Sequence, residues 1–169
     1  MILNLLNKQK EVDSYIAEKV NDKYIKEGKN KDFKDTIGKR KVAFKVELCE
    51  LANEIGFFKY WKESHVINKD RVLDEWADCL AFLNSIVVTQ NYERHINEYL
   101  QYCVLESSMD VNYHFDRLMK NKLYDLTDYE YAYIELYKMG STLGFSFGEL
   151  NVAYLNKSEE NIRRAKEGY

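Results

Sequence analysis

Residues 41–63 read KVAFKVELCELANEIGFFKYWKE and residues 72–86 read VLDEWADCLAFLNSI, and the spacing inside these two stretches decides the fold. In the first, Val42, Val46, Cys49, Ala52 and Ile55 recur at steps of three and four, the interval that returns side chains to one side of an α-helix as a buried stripe. Glu47, Glu50 and Glu54 recur at the same interval on a neighbouring face. In the second stretch Val72, Leu73, Trp76, Ala77, Leu80 and Leu83 make the stripe, and Glu75 and Asp78 stand three apart. The spacing predicts helices over 39–58 and about 70–88, connected around FFKYWKESHVINK, residues 57–69. Glu47 and Asp78, like Glu50 and Glu75, are equidistant from a midpoint between Lys62 and Glu63. In an antiparallel helical hairpin turning there, the four carboxylates meet at one level.

Carboxylates that converge between packed helices repel one another strongly unless a cation joins them. A cluster of acids without histidine or cysteine suits Mg²⁺, with Mn²⁺ as the alternative, and four acids could serve two ions. Magnesium is usually held by a few carboxylates, several waters and substrate phosphates, so the cluster implies a phosphate-bearing substrate. A single ExxE pair would be unremarkable as a solvated face in a chain that is 31% charged. The mirrored second pair on the adjoining helix is what favours a site.

Outward from the hairpin, Ile2, Leu5, Leu6, Gln9, Val12, Ile16 and Val20 predict an amphipathic helix over 1–27 that Gly28 ends, followed by a loop over 28–38. Further helices are expected at 91–107, 109–122, 127–142 and 146–157, with a short helical turn from Ser158. Thr127 with Glu130, Ser146 with Glu149 and, more weakly, Ser158 with Asn161 supply their starting caps. The chain has no proline, seven glycines and 46% hydrophobic residues, which favours an all-α fold, and its 169 residues suit one domain spanning 1–169.

A net charge of −3 argues against general nucleic-acid binding. The opening MILNLLNKQKEVDSYI is too polar for a signal peptide or span, so no membrane association and a cytoplasmic location are expected. Cys49, Cys79 and Cys103 have no C-x-x-C spacing and read as reduced, buried thiols, while His65, His95 and His114 make no ligand pattern and read as incidental. Fourteen tyrosines among many Asn and Lys suggest an AT-rich gene, from a low-GC bacterium or its phage.

Both opening stretches closely resemble the dimeric dUTPases, the helical family related to MazG-type nucleotide pyrophosphatases. LLNKQKEVDSYI, residues 5–16, resembles that family's first helix, and AYLNKSEENIRRAKEGY, residues 153–169, resembles its ending. The resemblance implies an all-α NTP pyrophosphatase-type bundle with its metal site between two antiparallel helices, working as a homodimer. It implies hydrolysis of dUTP to dUMP, with dUDP as a second candidate substrate, and metal held by Glu47, Glu50, Glu75 and Asp78. Water would attack a phosphorus beyond the α position with Glu50, and after it Glu47, as general base.

By the same resemblance Gln9 faces the uracil edge, Lys59, Lys157 and Arg164 meet phosphate, Trp61 and Phe82 line the base and sugar pocket, and Asn161 meets the sugar hydroxyl. Ser158, Ala165, Cys79 and Ala81 depart from the family's Asn, Gln, Gly and His. They bear on the phosphate and sugar contacts and leave the metal acids unchanged. Two alternatives stand beside this reading. One is a MazG-like pyrophosphatase of other specificity. The other is a nucleotide-switched repressor-binding role like that of phage members of the family, with a surface at about 90–130 that includes Tyr92, Tyr99, Tyr102, Tyr113 and Tyr124.

Overall fold

Residues 69–89 form the most enclosed helix of the molecule because their apolar side chains cover more than one face: Val72, Trp76, Ala77, Cys79, Leu80, Leu83, Ile86 and Val87 are all buried. Asn68 starts this helix by accepting from the backbone N–H groups of Asp70 and Arg71 at 3.1 and 3.3 Å, which satisfies donors that a helix start leaves open. The computed structural model describes residues 2–26 and 36–167, and for residues 22–26 the backbone alone. Among the described residues the chain is all-helical: α1 (Ile2–Lys26), α2 (Ile37–Ile55), α3 (Lys69–Thr89), α4 (Glu93–Leu100), α5 (Val111–Lys120), α6 (Leu126–Thr142) and α7 (Phe147–Glu167). Gly28, the loop predicted up to residue 35 and the final two residues lie outside them.

α3 packs against α1, α2, α6 and α7, so one central helix sets the position of all its neighbours. Its Trp76 is fully buried, donates its indole N–H to the Leu136 carbonyl of α6 at 2.9 Å and stands edge-on to Tyr137. A Cβ at Gly140 would lie 2.7 Å from the Leu150 methyl and 3.2 Å from the Trp76 nitrogen, so a larger residue at this α6–α7 crossing would have to displace the Leu150 side chain.

The hairpin register is the one the spacing predicts. Arg71 at the start of α3 pairs with Glu54 at the end of α2 at 2.7 Å, and Arg40 at the start of α2 reaches Ser85 near the end of α3. Both pairs share the midpoint between Lys62 and Glu63, which establishes α2 and α3 as antiparallel. Gly56, in the left-handed region at φ 72°, ends α2 and returns its N–H to the Ala52 carbonyl.

Several expectations require correction. α2 buries Phe44, Leu48, Leu51, Ala52 and Ile55, whereas Val42, Val46 and Cys49 are exposed. The helix carries two apolar stripes, and the one that meets α3 is buried. Cys49 is therefore not a core thiol; Cys79 is buried and Cys103 partly so. α4 stops at Leu100 rather than near 107.

α6 is capped by Asp125, which accepts from Asp128 N–H at 3.0 Å while Asp128 accepts from Tyr124 N–H at 2.7 Å. This reciprocal cap lies two residues before the Thr127 predicted for it. The Ser146–Glu149 box does form, with bonds of 2.8 and 3.2 Å. The break expected at Ser158 does not occur: its hydroxyl donates to the Tyr154 carbonyl at 2.8 Å, so it bonds back inside one uninterrupted α7 instead of opening a new helix.

Candidate active site

The level of the hairpin where the paired acids meet is open on one side to α1 and α7. Glu47 of α2 and Glu75 and Asp78 of α3 each offer a carboxylate oxygen within 4.8 Å of the others. Glu50 sits at the exposed edge of this group, close enough to raise the pKa of both Glu47 and Glu75. The cation bonded to these acids is Lys157 of α7, which is 7% exposed and lies 2.7 Å from Asp78 and 2.8 Å from Asp74.

Of the three clustered carboxylates Lys157 bonds Asp78, so Glu47 and Glu75 keep uncompensated negative charge, which adds to burial in raising their pKa values. Burial, then repulsion from Asp78, Glu50 and Glu75, raises Glu47 from the ordinary 4.5 to about 7. Glu75 is raised by burial and by its neighbours Asp78 and Glu50. Asp78 is raised by burial in spite of its bond to Lys157. Burial alone would lower Lys157, but its bonds to Asp74 and Asp78 outweigh that and hold it protonated. Hard oxygen donors with surplus negative charge fit a divalent cation such as magnesium.

Glu47 and Asp78 line a cavity of about 380 Å³, bounded also by Gln9, Asp13, Arg40, Phe82, Ser85, Lys157, Asn161 and Arg164, a size within the range of small-ligand pockets. Lys157, Asn161 and Arg164 recur at steps of four and three along α7, so an unbroken helix is what aims all three at the cavity. Arg164 pairs with Glu160 and moderates the charge at Asp78. Gln9, from α1, is 3% exposed.

The fold thus brings together Gln9, Glu47, Asp78, Phe82, Lys157, Asn161 and Arg164, with Glu75 and Glu50 adjoining. It does not bring Lys59 and Trp61 to this cavity. Lys59 donates to the Asn53 carbonyl at 2.7 Å, and Trp61 is 61% exposed on the turn after α2, edge-on to Phe58 and Tyr60.

Sequence reasoning passed over Asp13, Arg40, Asp74 and Ser85. Asp13 stands four residues after Gln9 and Asp74 four before Asp78, a same-face spacing that could have found two of them. Arg40 and Ser85 have no local signal, because the hairpin alone joins them.

A search of curated proteins found no match. The model of one protein family, described as dUTPase, matches residues 1–169. It covers the helices that hold the acids as well as α1 and α7, which also line the cavity. By that full-length match the chain belongs to the dUTPase family, the all-α one that hydrolyses dUTP.

Proposed function

We propose that the cavity between α1, α2, α3 and α7 binds dUTP with its phosphate chain over the acids and its base toward Gln9, and releases dUMP. The observation that carries this reading is that one cavity is lined by carboxylates of the acidic cluster, by Lys157 and by the enclosed Gln9 amide. Glu47, Glu50, Glu75 and Asp78 would hold the metal, Mg²⁺ with Mn²⁺ as the alternative. When bound, such an ion neutralises phosphate charge and polarises water for attack.

Glu50 takes the proton of the attacking water in this reading, since its place at the exposed edge keeps it accessible, and Glu47 stands next to it. Lys157 and Arg164 neutralise phosphate oxygens from the α7 side, Phe82 packs on the sugar and base, and Asn161 meets the sugar hydroxyl. Lys59 and Trp61 take no part within this cavity. Pyrophosphate and phosphate release from dUTP, dUDP, dCTP, dTTP and UTP with Mg²⁺ tests the assignment. Selective dUTP turnover supports it, and comparable turnover of several nucleotides would make the chain a broader pyrophosphatase.

A second copy of the chain is the proposed partner. Val42, Val46 and Cys49 of α2 form an exposed apolar stripe beside Met119 and Tyr124, in a groove that adjoins Glu50. Contiguous apolar surface of this kind favours association. Val46→Lys is expected to yield a monomer by gel filtration at micromolar concentration while changing the stability of the isolated chain by less than about 0.5 kcal/mol. An unchanged elution volume would place the contact elsewhere.

A further inference from the structure

Gln9 is a polar side chain enclosed to 3% exposure, and the fold occupies one hydrogen-bonding position at each end of its amide. Nε2 donates to Asp13 Oδ1 at 2.8 Å, and Oε1 accepts from the Tyr154 hydroxyl at 2.8 Å. An amide has two donor and two acceptor positions, so one N–H and one lone pair of Gln9, which lines the cavity, are left for a ligand. Uracil presents a ring N–H next to a carbonyl oxygen, and an amide in one sense complements that pair. Cytosine has the same outline with the sense reversed: a ring nitrogen that accepts, beside an amino group that donates. An amide free to flip would serve both bases.

The two partners of Gln9 differ in what they permit. The Tyr154 hydroxyl also lies 3.1 Å from the Leu5 carbonyl. It can give its proton to Gln9, or give it to Leu5 and accept from Gln9, so it tolerates either sense of the amide. A carboxylate only accepts. Asp13 cannot turn away either, because its Oδ2 accepts from Arg40 at 2.7 Å and from the Ser85 hydroxyl at 2.6 Å. Three helices therefore converge on one carboxylate whose sole contact with the cavity's reader is through the amide nitrogen.

We propose that Asp13, anchored by Arg40 and Ser85, is a positioning residue that locks the sense of the Gln9 amide and thereby sets the choice of uracil over cytosine. This rests on the reading of the cavity as a dUTP site with the base at Gln9. The locked amide turns its free N–H toward a uracil carbonyl and its free lone pair toward the ring N–H. Cytosine in the same pose meets donor against donor and acceptor against acceptor.

The test compares kcat/KM for dUTP and dCTP, and the affinities of metal-free protein for dUMP and dCMP, in native protein and in Asp13→Asn, Asp13→Glu and Tyr154→Phe. Asp13→Asn offers the amide either a donor or an acceptor, so the dUTP-to-dCTP ratio is expected to fall about tenfold or more, the scale of one mispaired buried hydrogen bond. The dUMP-to-dCMP affinity ratio should fall with it. Asp13→Glu, which restores an accept-only partner, should recover most of the ratio, and Tyr154→Phe should leave it within about threefold.

A folded Asp13→Asn protein that keeps the native ratios would overturn the proposal, as would equal losses in Asp13→Asn and Tyr154→Phe. If Asp13→Asn does not fold, Ser85→Ala must show the same change in smaller measure, and no change there also overturns it. Native protein that does not prefer dUTP at all would refute the underlying functional reading instead, which keeps the two failures distinct.

Discussion

The carboxylate cavity and the cluster around His114 are built from similar charged side chains, and they end in opposite electrostatic states. His114, 1% exposed, lies with Nδ1 2.7 Å from Glu135 and Nε2 2.8 Å from the Ser107 hydroxyl. Arg117 donates to the other Glu135 oxygen at 3.0 Å and spreads its guanidinium over the Tyr131 ring. Every charge in that cluster meets its partner within the chain, which is how buried polar groups serve a fold. At the cavity, the buried Lys157 ammonium bonds Asp78 but not Glu47 or Glu75, and the pKa values of all three acids are raised. Balanced charge ties α5 to α6, whereas the cavity keeps surplus negative charge. His114 is thus a structural residue rather than the incidental one its sequence context suggests.

The strongest way to break this contrast is to remove one charge from each region. Glu75→Gln is expected to cut dUTP turnover by more than the ~100-fold typical of residues that only support a metal ligand, while metal-free protein keeps or gains thermal stability as repulsion is relieved. Turnover near the native rate would show that the acids are not the reaction centre. His114→Ala should do the reverse. Breaking a buried pair costs on the order of 3 kcal/mol in urea denaturation, with turnover per folded molecule unchanged at low temperature. A loss below about 1 kcal/mol would mean that the cluster contributes little.

The pH dependence sharpens the same comparison. Glu47 has a folded pKa near 7, above its ordinary 4.5, so its contribution to stability is fully present below pH 4.5 and is lost as pH rises toward 7. Metal-free protein should therefore melt at lower temperature at pH 8 than at pH 5.5. Added Mg²⁺ should raise the melting temperature more at pH 8, because ion and proton compete for the same oxygens. A Mg²⁺ effect that does not vary with pH would disconnect the metal from Glu47. The smallest effect belongs to the start of the helix that carries Lys157: Ser146→Ala removes a cap and should cost about 1 kcal/mol without changing nucleotide preference.

Much of this site was legible because helical periodicity is local. The mirrored acids on α2 and α3 announced both the hairpin and its register, and bonds at its two ends bear that register out. Gln9, Lys157, Asn161 and Arg164 were found through resemblance at the chain ends, and the fold places them around one cavity. The α7 boundary was misread because Ser158 has the residue type of a cap and no local signal of the back-bond it makes to Tyr154. The buried stripe of α2 was misread for a related reason, since Val42, Val46 and Cys49 have helical spacing as regular as that of Leu48, Leu51 and Ile55.

What the sequence determined by itself is whatever depends on neighbours three or four residues apart: the helices, the pairing of carboxylates along each, and the antiparallel level at which they meet. The tertiary structure decided which stripe of α2 is covered, which partners hydrogen-bond His114, and which way the Gln9 amide faces. Those outcomes rest on contacts such as Asp13 with Arg40 and Ser85, separated by 27 and 72 residues. Hydrogen-bond direction is set by whichever donors and acceptors packing brings within about 3 Å, and no local spacing carries that information.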